Sequence, residues 1–223
     1  MKQQLLAITA ATLLFVACNN EEKTSAESSL KDSSGAKTEI KDDGKKEQAW
    51  IPVDSAMMNK AWAKSMTLGE PHKMLAKSAG TWTADITMWM ADGAPPTKST
   101  GSTVNTMLFG GLYQQSKHKA IMMGMPFEGM STVAYDNTEK KYVSTWIDNM
   151  GSGILVMSGD WDNATKSLNM SGKMKNPANG LECTEREVFK PVDDNHQTLE
   201  MYGPDPKTGK EYKMMEIQYT RKK

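Results

Sequence analysis

From Gly80 to Arg221 the chain alternates and turns, and that rhythm restricts its fold more than any other feature. Trp82, Ala84, Ile86, Met88 and Met90 take one set of alternate positions, with Thr83, Asp85 and Thr87 between them. A period of two residues is that of a half-buried strand. Turn signals then recur about every dozen residues. They are Asp92-Gly93, Gly110-Gly111, Met125-Pro126, Asp136-Asn137, Gly151 to Gly153, Asp162-Asn163, Asn179-Gly180, Asp193 to Asn195 and Gly203 to Gly209. The punctuation leaves about ten strands and no room for the crossover helices that parallel strands require. The expectation is an all-β, antiparallel up-and-down barrel, because closure removes exposed edges and short hairpins suffice. An immunoglobulin-type sandwich is the alternative, and it would need longer connections.

Short helices precede the strands. Asp54 or Ser55 can cap a helix running to Met66, with Met58, Ala61, Trp62 and Met66 near helical spacing. Gly69-Glu70-Pro71 breaks it, and a second helix runs from His72 to Ser78. Together they are expected to close one end of the barrel.

The N-terminus carries an address. Lys2 precedes an apolar run from Leu5 to Ala17, broken only by threonines and too short to span a bilayer. Phe15-Val16-Ala17-Cys18 resembles the lipobox of bacterial lipoproteins. The resemblance implies a signal peptide over residues 1–17, cleavage before Cys18 and lipidation of its sulfur. Asn19, where an aspartate would favour inner-membrane retention, implies an outer membrane lipoprotein, periplasmic or surface-facing. Residues 19–49 are Lys, Glu, Asp, Ser and Gly with almost no large apolar side chain. Such a segment cannot offset its chain entropy, so residues 18–49 are expected to be a disordered tether and residues 50–223 the folded domain.

The chain has two cysteines; lipidation of Cys18 leaves Cys183 without an intramolecular partner. The net charge of +0 supplies no field for nucleic acid, and membrane contact is expected through the lipid anchor only. Arg221-Lys222-Lys223 reads as a solvated terminus.

Two resemblances bear on the domain. Gly80-Thr81-Trp82 opens the first strand after a short helix, and Arg221 ends the last. This is similar to the signature of the calycin superfamily, the lipocalins, fatty-acid-binding proteins and nitrobindin-like barrels. There a Trp of the first strand packs beneath an Arg of the last, which implies that Trp82 and Arg221 close one end. The stretches HKMLAKSAGTW, MMGMPFEGMSTVAYDN, KKYVSTWIDNMGSG, EREVF and EMYGPDPKTGKEYKMMEIQYTR resemble the bacterial family called domain of unknown function 1579, over residues 54–221. That family is grouped with the calycins and brings no established catalytic residues.

Catalytic signatures are missing: no G-x-S-x-G elbow, H-E-x-x-H helix, Walker loop or strand-linked G-x-G-x-x-G occurs. The three histidines, at 72, 118 and 196, are scattered. His118 shares alternate positions with Gln114 and Ser116, and nitrobindin-like barrels hold haem through a histidine, so a haem alternative attaches to His118. Nineteen methionines include Met122, Met123 and Met125; thioethers suit Cu(I), which gives a copper-handling alternative. Their spread across nearly every strand fits an apolar lining better. Neither cofactor is expected.

The stretch YVSTWIDNMGSG is the leading site candidate. Tyr142, Ser144, Trp146, Asp148 and Met150 share one face; Val143, Thr145 and Ile147 share the other. Alternation permits either face inward, and the expectation carried forward is Trp146 and Asp148 inside. With Met150, Met88, Met130, Glu128 and His118 they make up the candidate ligand-binding set. The hairpin IMMGMPFEGM is expected to turn at Gly124-Met125-Pro126, with Met122, Met125 and Met130 touching a ligand or the helical lid near Trp62. The functional expectation is a carrier or sensor of a small apolar molecule. The rivals are an enzyme using Asp148 or Glu128 as acid or base, and an interaction module whose barrel is filled by its own side chains.

Overall fold

Ten strands follow one another as a meander: β1 Gly80–Met88, β2 Thr97–Leu108, β3 Tyr113–Met122, β4 Met125–Asp136, β5 Lys141–Asp148, β6 Leu155–Asp162, β7 Ser167–Lys175, β8 Glu182–Pro191, β9 His196–Pro204 and β10 Glu211–Arg221. Each pairs antiparallel with its chain neighbour, and β10 returns to β1, so the sheet closes as a barrel. The closing register sets Trp82 opposite Arg221 and Met88 opposite Met215. The structure, a computed structural model, describes residues 49–223; the expected signal peptide, the expected lipidation at Cys18 and the expected tether, up to residue 48, lie outside the described residues.

Alternation sorts the side chains as the sequence rhythm implies. Trp82, Ala84 and Ile86 are buried on the inner face of β1 and pack with Ile217 and Tyr219 of β10. A second cluster joins Tyr142, Met157, Leu168 and Met170. Met90 lies past the end of β1 and is exposed.

Among the described residues, two helices precede the barrel: α1 Ser55–Ser65 and α2 Glu70–Lys77. Asp54 caps α1, its carboxylate accepting the Met57 N–H at 2.7 Å. α2 starts two residues before the sequence expectation, because Pro71 sits in its first turn, where its missing N–H costs nothing. α2 alone plugs the barrel, inserting Leu75 into the second cluster. The expectation that both helices close the end fails for α1, which buries no residue and leaves Trp62 exposed.

The last carbonyls of a helix lack intrahelical partners, and here the barrel supplies the donors. The Gln114 amide donates to Leu75 O at 2.6 Å and Asn105 to Ser78 O at 2.8 Å. The Trp82 indole N–H donates to Ser78 O at 2.9 Å. The Arg221 guanidinium donates to Lys77 O and Ala79 O at 2.6 Å each and to Asp194 O at 2.7 Å, while lying 4.1 Å above the Trp82 ring. Gly80 must be a glycine: its φ is +121° and a Cβ there would come within 2.9 Å of Arg221 Nη1.

At the other end the β3–β4 hairpin turns one residue earlier than expected. Met122 pairs with Met125, and the two turn residues Met123 and Gly124 have φ of 51° and 78°. Positive φ at both positions is the mark of a type I′ turn, whose twist suits a two-residue hairpin. Pro126 is therefore in β4, opposite Ile121, and the hairpin stands away from the helices rather than beneath a lid at Trp62.

Candidate functional site: a two-chambered barrel cavity

β5 presents its even-numbered residues inward: Tyr142 and Ser144 are buried, whereas Ile147 faces out at 40% exposure. Trp146 follows in the same phase and spreads over the cavity wall. Its N–H donates to Asp148 Oδ2 at 2.7 Å, and Asp148 Oδ1 accepts the Met150 N–H at 2.8 Å. Both carboxylate oxygens are thus occupied, and Asp148 acts as a brace that fixes the indole. Phe127 stacks against Trp146 at 6.2 Å between ring centroids, and the His118 ring leans on it at 5.2 Å. Beside Phe127 on β4, Gly129 gives the indole its seat: a Cβ there would fall 2.5 Å from the ring. Gly129→Ala is accordingly expected to push Trp146 off its position at a cost of ~1–3 kcal/mol. A lowered melting temperature with a changed Trp emission maximum would show this; an unchanged spectrum would remove Gly129 from the site.

The upper chamber, at the open end, has a volume of about 230 Å³ and walls that include Ile86, Met122, Phe127, Trp146, Met201 and Met215. Below it, toward α2, lies a smaller chamber of about 100 Å³ lined by Asn105, Gln114, Ser116, Ser131 and Gln197 among others. Thr103, His118, Glu187, Leu199 and Tyr219 border both chambers and form a waist. His118 Nδ1 is 2.9 Å from the Thr103 hydroxyl, and Nε2 is buried without a partner. Burial pushes the His118 pKa down to about 4, so the imidazole is neutral at physiological pH.

Of the candidate set, Trp146, Asp148, Met150 and His118 line the upper chamber. The other three do not. Glu128 lies on the outer face of β4, paired with Lys119 at 2.8 Å and exposed, because the inward residues of β4 are the odd-numbered ones. Met130 shares the parity of Glu128 and faces outward with it. Met88 is on the inner face of β1 but packs against the Trp82 cluster outside the cavity lining. Of the grouped methionines, Met122 is buried in the wall, while Met123 and Met125 are exposed at the turn.

Sequence reasoning missed Glu187, the carboxyl at the waist. It is enclosed by protein yet borders the cavity, and its pKa is raised to about 7 by burial and by Glu185. Glu185, also inward on β8, is raised to about 7 by burial. Tyr219, fully enclosed, is raised as well, chiefly by burial. β8 hid its phase because Cys183, Glu185, Glu187 and Phe189 alternate with Thr184, Arg186 and Val188, so both faces are mixed. Phe189, packed against the second cluster, was the only pointer.

A haem does not fit these residues. Among the described residues, no cationic group stands in either chamber to meet propionates: Lys119 sends its ammonium outside to Glu128, Arg221 is held at the plugged end over Trp82, and the waist carries Glu187 instead.

Among solved structures, the S-type phycobiliprotein lyase CPES from Guillardia theta is similar at a TM-score of 0.49 and 6% sequence identity, over 73% of this chain and 97% of that one. No curated protein matches the chain. The model of the family described as protein of unknown function (DUF1579) matches residues 67–221, and the chain belongs to that family.

Proposed function

We propose that this is a lipid-anchored binding protein of the periplasm, a carrier or sensor, that holds a small and largely apolar molecule inside its barrel. The carrying observation is the upper chamber: about 230 Å³ of space walled mainly by apolar side chains in a barrel plugged at its other end by α2. That volume lies just below the range of about 300–1,000 Å³ usual for ligand cavities, which restricts the guest to a small molecule. The anchor rests on Phe15-Val16-Ala17-Cys18, and the outer membrane address on Asn19.

Native mass spectrometry of the full chain, purified from the envelope of its own cell, tests the reading. A discrete, stoichiometric small-molecule adduct is expected, together with release of the protein from the membrane fraction in Cys18→Ser. A chain free of adduct that also fails to bind apolar dyes would overturn the carrier. A second reading follows from Glu187, a carboxyl that exchanges its proton near neutrality inside a cavity and so has the property of a general acid or base. Recovery of a chemically altered guest would favour that reading over the carrier.

A further inference from the structure

The two chambers differ in chemistry as well as in size. The upper one is walled mainly by apolar side chains, whereas the lower one mixes Leu75, Leu168 and Met170 with amides and hydroxyls. Part of that polarity is already used, since the Asn105 and Gln114 amides hold the C-terminal carbonyls of α2. Part is not. Asn105, only 7% exposed, leaves its Oδ1 without a hydrogen bond, and His118 Nε2 is in the same position at the waist. An unmatched buried polar atom costs stability that a suitable partner restores.

Charge narrows the partner. The inward ionisable groups at the waist are Glu187, Tyr219 and neutral His118, with Glu185 one inward position along β8; none offers a positive charge. An anionic head group would bury a negative charge with no cation at the waist to meet it. A cationic one would require Glu187 to ionise in a site where burial opposes it. An uncharged head meets neither penalty.

Building on the cavity reading above, we propose that the barrel takes an amphiphile polar end first. The polar end is an uncharged hydrogen-bonding group seated at the waist beside Glu187 and Tyr219, and the apolar tail fills the upper chamber against Trp146. The carboxyl of Glu187 supplies a donor or an acceptor to that head as required, and the tail leaves toward the open end.

Calorimetric titration of the full chain with 1-decanol, decanoate and decylamine at about pH 6, where decanoate and decylamine are charged, tests the proposal. Decanol is expected to bind one per chain, about tenfold or more tightly than either charged analogue. 10-Bromodecan-1-ol is expected to quench Trp146, the quenched signal vanishing in Trp146→Phe, because its bromine stays in the upper chamber. Equal or tighter binding of decanoate or decylamine overturns the uncharged head. Bound bromodecanol that leaves Trp146 unquenched overturns the polar-first orientation. Both results leave the cavity reading standing, whereas failure of all three probes to bind removes the cavity reading and the proposal together.

Discussion

Replacing Trp82 with alanine is expected to cost ~3–5 kcal/mol, the range for removing a large buried aromatic side chain. The indole is 1% exposed and joins three parts of the fold. Its faces pack among Ala84, Ile86, Ile217 and Tyr219 and beneath the Arg221 guanidinium at 4.1 Å, and its N–H holds Ser78 O at the end of α2. Truncation therefore opens a cavity at the seam between β1 and β10, removes a half-buried cation–π contact worth ~1 kcal/mol, and loosens the plug. A domain of this size has a total stability of about 5–15 kcal/mol, so the variant should unfold at a much lower urea concentration. Trp82→Phe keeps a six-membered ring under Arg221 and loses the N–H and part of the indole volume, and its loss should be smaller. An unfolding free energy for Trp82→Ala within ~1 kcal/mol of wild type would mean that the seam does not depend on the indole.

The barrel was legible because its signals are local. Period-two alternation and Gly- or Asn-bearing turns recur in nearly every hairpin, and an unbroken antiparallel meander has few ways to close. The pairing of Trp82 with Arg221 was legible only through resemblance, since nothing in the spacing of residues 82 and 221 says that β1 meets β10. Local signals also misled. Met58, Trp62 and Met66 have helical spacing, yet α1 finds no barrel surface to bury them. Pro126 looked like a turn residue, but the tight turn needed positive φ at Met123 and Gly124, and Pro126 fell into the start of β4. Glu128 and Met130 were placed with Trp146 by chemistry, whereas the parity of β4, set by Phe127 and Gly129, turns both outward. The waist was the least legible part. It gathers Thr103, His118, Glu187 and Tyr219 from four strands, and no single-strand pattern contains that convergence.

Glu187→Gln is expected to stabilise the protein progressively as pH rises. Below the ordinary carboxyl value of 4.5 the folded and unfolded chains both hold the Glu187 proton, and the group contributes no pH dependence. Between 4.5 and about 7 the unfolded chain loses that proton while the folded chain keeps it. The folded state then binds more protons than the unfolded one, so wild-type stability falls as pH rises through this window. Glutamine carries no proton to lose and is spared the fall. At about 1.4 kcal/mol per pKa unit, the advantage of the variant should grow from its value near pH 4.5 by ~3 kcal/mol once pH exceeds about 7. His118 has the opposite slope, because between about 4 and 6.5 it is protonated only in the unfolded chain; it is present in both proteins and cancels in the difference. Glu185 faces the same interior and adds to the Glu187 shift, so part of the gain will appear as a lowered Glu185 pKa in the variant. Urea denaturation of both proteins between about pH 4.5 and pH 8.5 gives the difference directly. A difference that stays flat across that range would mean that Glu187 is solvated in the folded protein, and would remove it from the waist as the group that selects against an anionic guest.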